Sequence, residues 1–180
     1  MKKVIKKGFT LIELLVVIAI IAILALIVLL ALNPAEMARR SRDTRRLSEL
    51  GSIRTAIDLA LADNQTLSPT TGWVNINRTT ETTDFEGLDL SKYLSVVPQD
   101  PVYESGSSES VRVMISDECS HESIGKDDIS YQYASDGTTY VLRARMEAEE
   151  NCSILSEDGN DSDYYETGIA PGLEITFSEE

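Results

Sequence analysis

Nineteen consecutive apolar residues run from Leu14 to Leu32. As a helix rising 1.5 Å per residue they reach about 28 Å, close to the roughly 30 Å hydrocarbon core of a bilayer. The 180 residues hold no second run of that kind. Lys2, Lys3, Lys6 and Lys7 stand ahead of it like the basic head of a secretory signal. The run is nevertheless longer than a usual signal core, and it leaves through Asn33-Pro34-Ala35-Glu36 without an A-x-A-like cleavage site. It therefore reads as a retained membrane anchor. Arg39, Arg40, Arg42, Arg45 and Arg46 follow as closely as the lysines precede, so charge counting alone does not orient the span. One residue is out of character: Glu13, a carboxylate at the edge of a lipid-seeking segment.

Charge divides the chain. Residues 47–180 hold seven Lys or Arg against 27 Asp or Glu, a balance of -20, whereas the first 46 residues stand at +6. A body that acidic repels polyanions, which argues against nucleic-acid binding and leaves a solvated surface or cation binding. The Arg39–Arg46 cluster, just past the span, suits phospholipid headgroups or acidic neighbours better than DNA. No G-x-S-x-G, H-E-x-x-H or P-loop occurs, and a single histidine leaves little for a nucleophile–base pair, so the chain does not read as an enzyme.

The helical pattern continues past the apolar run. Leu47, Leu50, Ile53, Ile57 and Leu61 recur at spacings of three and four, with Arg46, Glu49, Arg54 and Asp58 off that stripe. This predicts one helix from about Phe9 to Asp63, lipid-facing and then amphipathic, interrupted at Pro34 and Gly51. Beyond Asn64 loop signals prevail to residue 110. Strands are predicted at Val111–Ser116, Ile129–Ala134 and Thr138–Glu147, the last two joined through Ser135-Asp136-Gly137. The tail from Glu157 reads as acidic and mobile, with a short strand at Leu173–Phe177. The fold class is α+β, a long N-terminal helix packed on a small antiparallel sheet with irregular loops. The divisions fall at 1–8 (leader), 9–33 (span), 34–64 (amphipathic continuation), 65–156 (globular domain) and 157–180 (acidic tail).

The stretch Lys7-Gly8-Phe9-Thr10-Leu11-Ile12-Glu13-Leu14 resembles the class III signal of type IV pilins and of the pseudopilins of type II secretion systems. Tyr93-Leu94 with Pro98-Gln99-Asp100-Pro101-Val102-Tyr103, and Asp136-Gly137-Thr138-Thr139-Tyr140, are similar in outline to a loop and a hairpin of major pseudopilins. The resemblance implies the pilin fold and cleavage by a prepilin peptidase between Gly8 and Phe9. It further implies methylation of the new amino terminus at Phe9, and polymerisation in which Glu13 pairs with the amino terminus of a neighbouring subunit. An unpaired carboxylate costs roughly 2.5–3.5 kcal/mol at a helix centre on insertion scales and less near its end; such pairing offsets the cost and penalises every unmatched register. Implied partners are further copies of the chain, minor pilins or pseudopilins, the peptidase and an inner-membrane assembly platform. Implied too is a bacterial inner-membrane location with the lysines cytoplasmic and the acidic body outside.

Other residues leave alternatives open. Cys119 and Cys152 flank the hairpin and suit one disulfide in an exported domain. Without a C-x-x-C pair and with His121 alone, a zinc site is poorly built. Asp158, Asn160, Asp161 and Asp163 offer hard oxygen ligands, and major pseudopilins are similar in binding calcium in a C-terminal acidic loop; a solvated tail is the competing reading, with no cofactor at all. Four glycosylation sequons begin at Asn64, Asn77, Asn151 and Asn160. In function, a type II secretion pseudopilin, a pilus pilin for adhesion, twitching or DNA uptake, and a signal-anchored binding or enzyme domain remain distinct readings.

Overall fold

The computed structural model describes residues 8–76, 85–115 and 120–177. The chain divides into two compact units, Met1–Ala38 and Arg39–Glu180. The first holds helix α1, Leu11–Leu32. Its residues Leu11–Leu29 are long and apolar enough to cross a membrane, and none of that stretch is buried. An apolar helix with no covered face is a surface suited to lipid or to other helices, not to water.

The single helix predicted from Phe9 to Asp63 is two. Helix α1 ends on Asn33, whose backbone is left-handed (φ 39°, ψ 71°), and helix α2 begins at once with Pro34–Ala62. Pro34 disfavours right-handed helix at the residue before it, and asparagine is among the few side chains that tolerate the left-handed region. At the first position of α2 a proline loses no hydrogen bond. The Asn33 carbonyl accepts from Glu36 and Met37 N–H and starts the new helix. Gly51, also predicted to interrupt, lies inside unbroken α2. The far end of α2 is closed by left-handed Asn64 (φ 67°), with Gln65 N–H donating to the Ala60 carbonyl, a Schellman-type stop.

The second unit is built on the stripe of α2. Leu50, Ile53, Ala56, Ile57 and Ala60 are buried against Phe85, Leu88, Leu90, Val97, Tyr131, Tyr133, Tyr140 and Leu142. The rings of Tyr133 and Phe85 meet edge-on at 5.4 Å. Buried tyrosines need partners for their hydroxyls, and α2 supplies two: Tyr140 donates to Asp58 at 2.6 Å and Tyr131 donates to Glu49.

The strands are β1 (Val74–Asn75), β2 (Ser110–Ile115), β3 (Ser120–Gly125), β4 (Gln132–Ser135), β5 (Tyr140–Ala144) and β6 (Tyr165–Gly168). They form an antiparallel sheet in the order β1-β4-β5-β6 and a separate β2–β3 ribbon. The predicted hairpin is β4–β5, with Tyr133 opposite Leu142. Its turn is held by Asp136, which accepts from the N–H groups of Thr138 and Thr139 at 2.7 and 2.6 Å, while Gly137 takes φ 89°. Strands β1, β3 and β6 were not predicted. The segment read as a mobile tail contributes β6, and no strand occurs at 173–177, where Pro171–Leu173 is a 3-10 turn. Glycine at 168 is needed because a Cβ there would lie 2.2 Å from the Tyr140 carbonyl oxygen.

Two charged residues, Asp43 and Arg46, occupy the first turns of the buried α2 stripe. Arg46 donates from Nε and Nη2 to the two oxygens of Asp100 at 2.7 and 3.0 Å, and its Nη1 lies 2.8 Å from Asp43 and 2.7 Å from Glu147. Asp43 accepts from the N–H groups of Glu147 and Ala148 and from the Asn151 amide; Glu147 also takes both arms of Arg42. Burial works against the Arg46 charge, yet Asp100, Glu147 and Asp43 hold its pKa above the ordinary value.

Arg46→Met removes the cation shared by three buried carboxylates and is expected to cost about 3–5 kcal/mol, read as urea unfolding of the full chain in detergent followed by the emission of Trp73, the chain's one tryptophan. A second test concerns pH. The backbone N–H groups of Thr139 and Thr138 lower the Asp136 pKa from 3.8 to about 2. A carboxylate depressed on folding stabilises above its unfolded pKa, and that contribution is lost as pH falls through the folded value. Asp136→Asn is therefore expected to be less stable than wild type at neutral pH. The two unfolding curves should converge between roughly pH 4 and pH 2.

Candidate functional site

The N-terminal end of α1 holds the residues on which the assembly reading depends. Gly8, Phe9 and Thr10 precede the helix, outside regular structure and exposed, with Phe9 84% accessible and open space around Gly8. The Gly8–Phe9 bond is therefore accessible.

Glu13 has a local partner that the sequence reading did not weigh. Thr10 is the N-cap of α1 in extended backbone (φ -86°, ψ 150°), and its hydroxyl accepts from the Glu13 N–H at 3.3 Å. In return the Glu13 Oε2 accepts from both the N–H and the hydroxyl of Thr10, each at 2.8 Å. This is a capping box, in which threonine and glutamate three residues apart each satisfy a backbone donor that the helix leaves open. The signature was legible as T-x-x-E before an apolar run. It explains why a carboxylate is tolerated at this depth: its charge meets the positive end of the helix dipole and two real donors. Both bonds end on Oε2, so Oε1 remains for a donor from elsewhere. Phe9, Ile12, Val16 and Val17 line with Glu13 a shallow, largely apolar groove of about 390 Å³.

The arginine cluster, expected to face headgroups or neighbouring subunits, is largely spent inside the second unit. Arg42 and Arg46 enter the buried network, Arg45 pairs with Glu49 at 2.7 Å and Arg40 with Glu150 at 2.9 Å. The Pro98–Tyr103 loop is held from within, since Asp100 takes Arg46 and also caps the Val102 N–H. Asn151 is buried and donates to Asp43, which removes it from consideration as a glycan acceptor.

Cys152 opens the short helix α3, Cys152–Leu155, and packs with Met114, Met146 and Leu155. Its proposed partner Cys119 lies outside the described residues, as does Asn77. The four residues considered for calcium do not converge. Asp161 pairs with Arg143 at 2.8 Å, Asp163 lies 3.6 Å from Arg145, the N–H of Asn160 donates to Glu166, and Asp158 accepts from the N–H of Glu166. Among the described residues no group of three or more His, Cys, Asp or Glu could hold a metal ion.

Residues 5–29 match the family model of the prokaryotic N-terminal methylation motif. Compared with curated proteins and with solved structures, the chain matches none.

Proposed function

We propose that this chain, which carries a class III prepilin signal within residues 5–29, is a structural subunit of a type IV pilus-like filament. In this reading a prepilin peptidase cuts between Gly8 and Phe9 and the new Phe9 amine is methylated. The observation that carries it is the coincidence of the methylation motif with its geometry: an exposed Gly8–Phe9 bond, a capped helix start and a carboxylate four positions after Phe9. Cleavage removes all four lysines, which otherwise hold the anchor at the cytoplasmic face. Helix α1 then exchanges lipid for the α1 helices of other subunits at little hydrophobic cost. Glu13 keeps Thr10 on Oε2 and receives the neighbour's Phe9 ammonium on Oε1, so one carboxylate serves the cap and the register.

Within that class we assign the chain to the pseudopilins of a type II secretion-like system, anchored in the inner membrane with the second unit outside. The Asp100 loop and the Asp136 turn favour this, since each is a built element held by several hydrogen bonds. A role in adhesion, twitching or DNA uptake is the competing outcome. The subunit acts as a scaffold and not as an enzyme. Cys119 and Cys152 form a disulfide in this reading, closing a loop of about 34 residues and worth roughly 3–4 kcal/mol. The described residues contain no free thiol. Denaturing alkylation without reductant should add no label, and labelling of both cysteines would remove the bridge from the proposal.

Intact mass and N-terminal sequencing of the chain from native membranes should find methylated Phe9 as the first residue. A chain beginning at Met1 in cells with active prepilin peptidase would make it a plain anchored domain. Cap and pairing are separable by substitution. Glu13→Gln preserves a capping-box acceptor but not the charge, whereas Glu13→Ala loses both. If pairing sets the register, both variants are processed and neither assembles. Filament formation by Glu13→Gln at wild-type yield would leave Glu13 as a helix cap alone.

A further inference from the structure

The segment 157–166, a loop that runs into the first residues of β6, carries Glu157, Asp158, Asp161, Asp163 and Glu166 within ten positions. Such density invites a divalent cation. The cations that the structure places there are guanidinium groups. Arg143 on β5 and Arg145 just beyond it are two residues apart, so both project from the sheet face opposite Tyr140 and Leu142. The Arg143 guanidinium lies 3.6 Å over the Trp73 ring and 3.9 Å over that of Tyr164, with Arg145 4.0 Å over the same Tyr164 ring. Arg143 donates from Nε to Gln132 at 2.7 Å and from Nη1 to Asp161 at 2.8 Å, and Arg145 donates to the Asp163 carbonyl at 3.2 Å.

These groups bind the loop at both ends of its turn. Contacts within the loop add to these: the Asp163 N–H donates to Asp161, and Asn160 and Asp161 donate from their backbones to Glu166, which is buried. Two buried oxygens, Asp158 Oδ1 and Glu166 Oε1, have no hydrogen-bond partner. They come from two side chains only, whereas calcium takes six to eight oxygens, and Asp161 and Asp163 are turned toward arginine.

We propose that Arg143, held between Trp73 and Tyr164, and Arg145, over the same Tyr164 ring, replace a divalent ion as the cations of this loop, so that the fold of the second unit is independent of calcium. This goes beyond the filament reading and does not rest on it. A planar guanidinium sandwiched by two rings is shielded from competing water and salt, which strengthens cation–π and charge-assisted contacts alike. It also fixes β6, whose Glu166 and Thr167 pair with Arg143 and Leu142 across the sheet.

The test is thermal unfolding of the full chain in detergent micelles, followed by Trp73 emission. It is run with about 5 mM calcium, with the same magnesium concentration, and with chelator, which exceeds the roughly millimolar affinity of weak extracellular calcium sites. The expected result is one melting temperature in all three. A calcium-specific rise of several degrees, the size that a saturated site produces, would overturn the proposal and point to Asp158 and Glu166. Arg143→Met keeps bulk and removes charge, and it should lower the melting temperature by several degrees and change Trp73 emission. An unchanged melt and emission would also overturn the proposal, and if that variant fails to fold, the wild-type comparison decides alone.

Discussion

A guanidinium buried without access to water must be matched by acceptors, and Arg46 is matched by three carboxylates, two of them from distant parts of the chain. Asp43 comes from the same helix, Asp100 from the loop before β2, and Glu147 from the segment after β5. Each carboxylate in turn fixes backbone: Asp43 holds the N–H groups of Glu147 and Ala148, and Asp100 that of Val102. The apolar stripe of α2 supplies most of the burial energy, but apolar burial is non-directional. The charged turns at the head of that stripe determine which loop lies where, because any other arrangement leaves a buried charge unmatched.

The N-terminal unit is built on the opposite economy. Helix α1 has no side-chain specificity along its apolar length, and a uniformly apolar helix can slide against its neighbours with little penalty. Directional information is concentrated at one end, in Thr10 and Glu13. There a single carboxylate finishes the helix through one of its oxygens. Thus one unit depends on a buried cation and the other on an anion that caps its helix, each a directional contact where apolar burial is not.

Much of this was legible from local pattern. The apolar run, the α2 stripe from Leu50 to Ala60 and the Asp136-Gly137 turn follow from periodicity and turn chemistry, and each is present. Four features in particular were not legible. The left-handed Asn33 depends on the pair Asn-Pro acting together, where proline alone suggests only a kink. Strand β3, Ser120–Gly125, is too polar to stand out, since a ribbon with exposed faces needs no alternation. Strand β6 was concealed by an acidic flank, and its evidence lies in the close approach of Gly168 to Tyr140. The arginines after the span looked like a surface patch because composition does not reveal that Asp100 and Glu147, about 54 and 100 positions away, would arrive to bury one of them.

By itself, the sequence determined what depends on neighbours a few residues apart: a membrane-length helix, its capping box, the processing signal around Gly8 and Phe9, the amphipathic stripe and one hairpin turn. Such features are set by helical and strand periods and by hydrogen bonds that close over three or four positions. Only the tertiary structure decided the fate of the charges. Whether Arg46 is buried or solvated, and whether Asp161 faces a metal or Arg143, turns on groups brought together from far along the chain. Electrostatic energy depends on the distance and burial of such pairs, which no local pattern encodes.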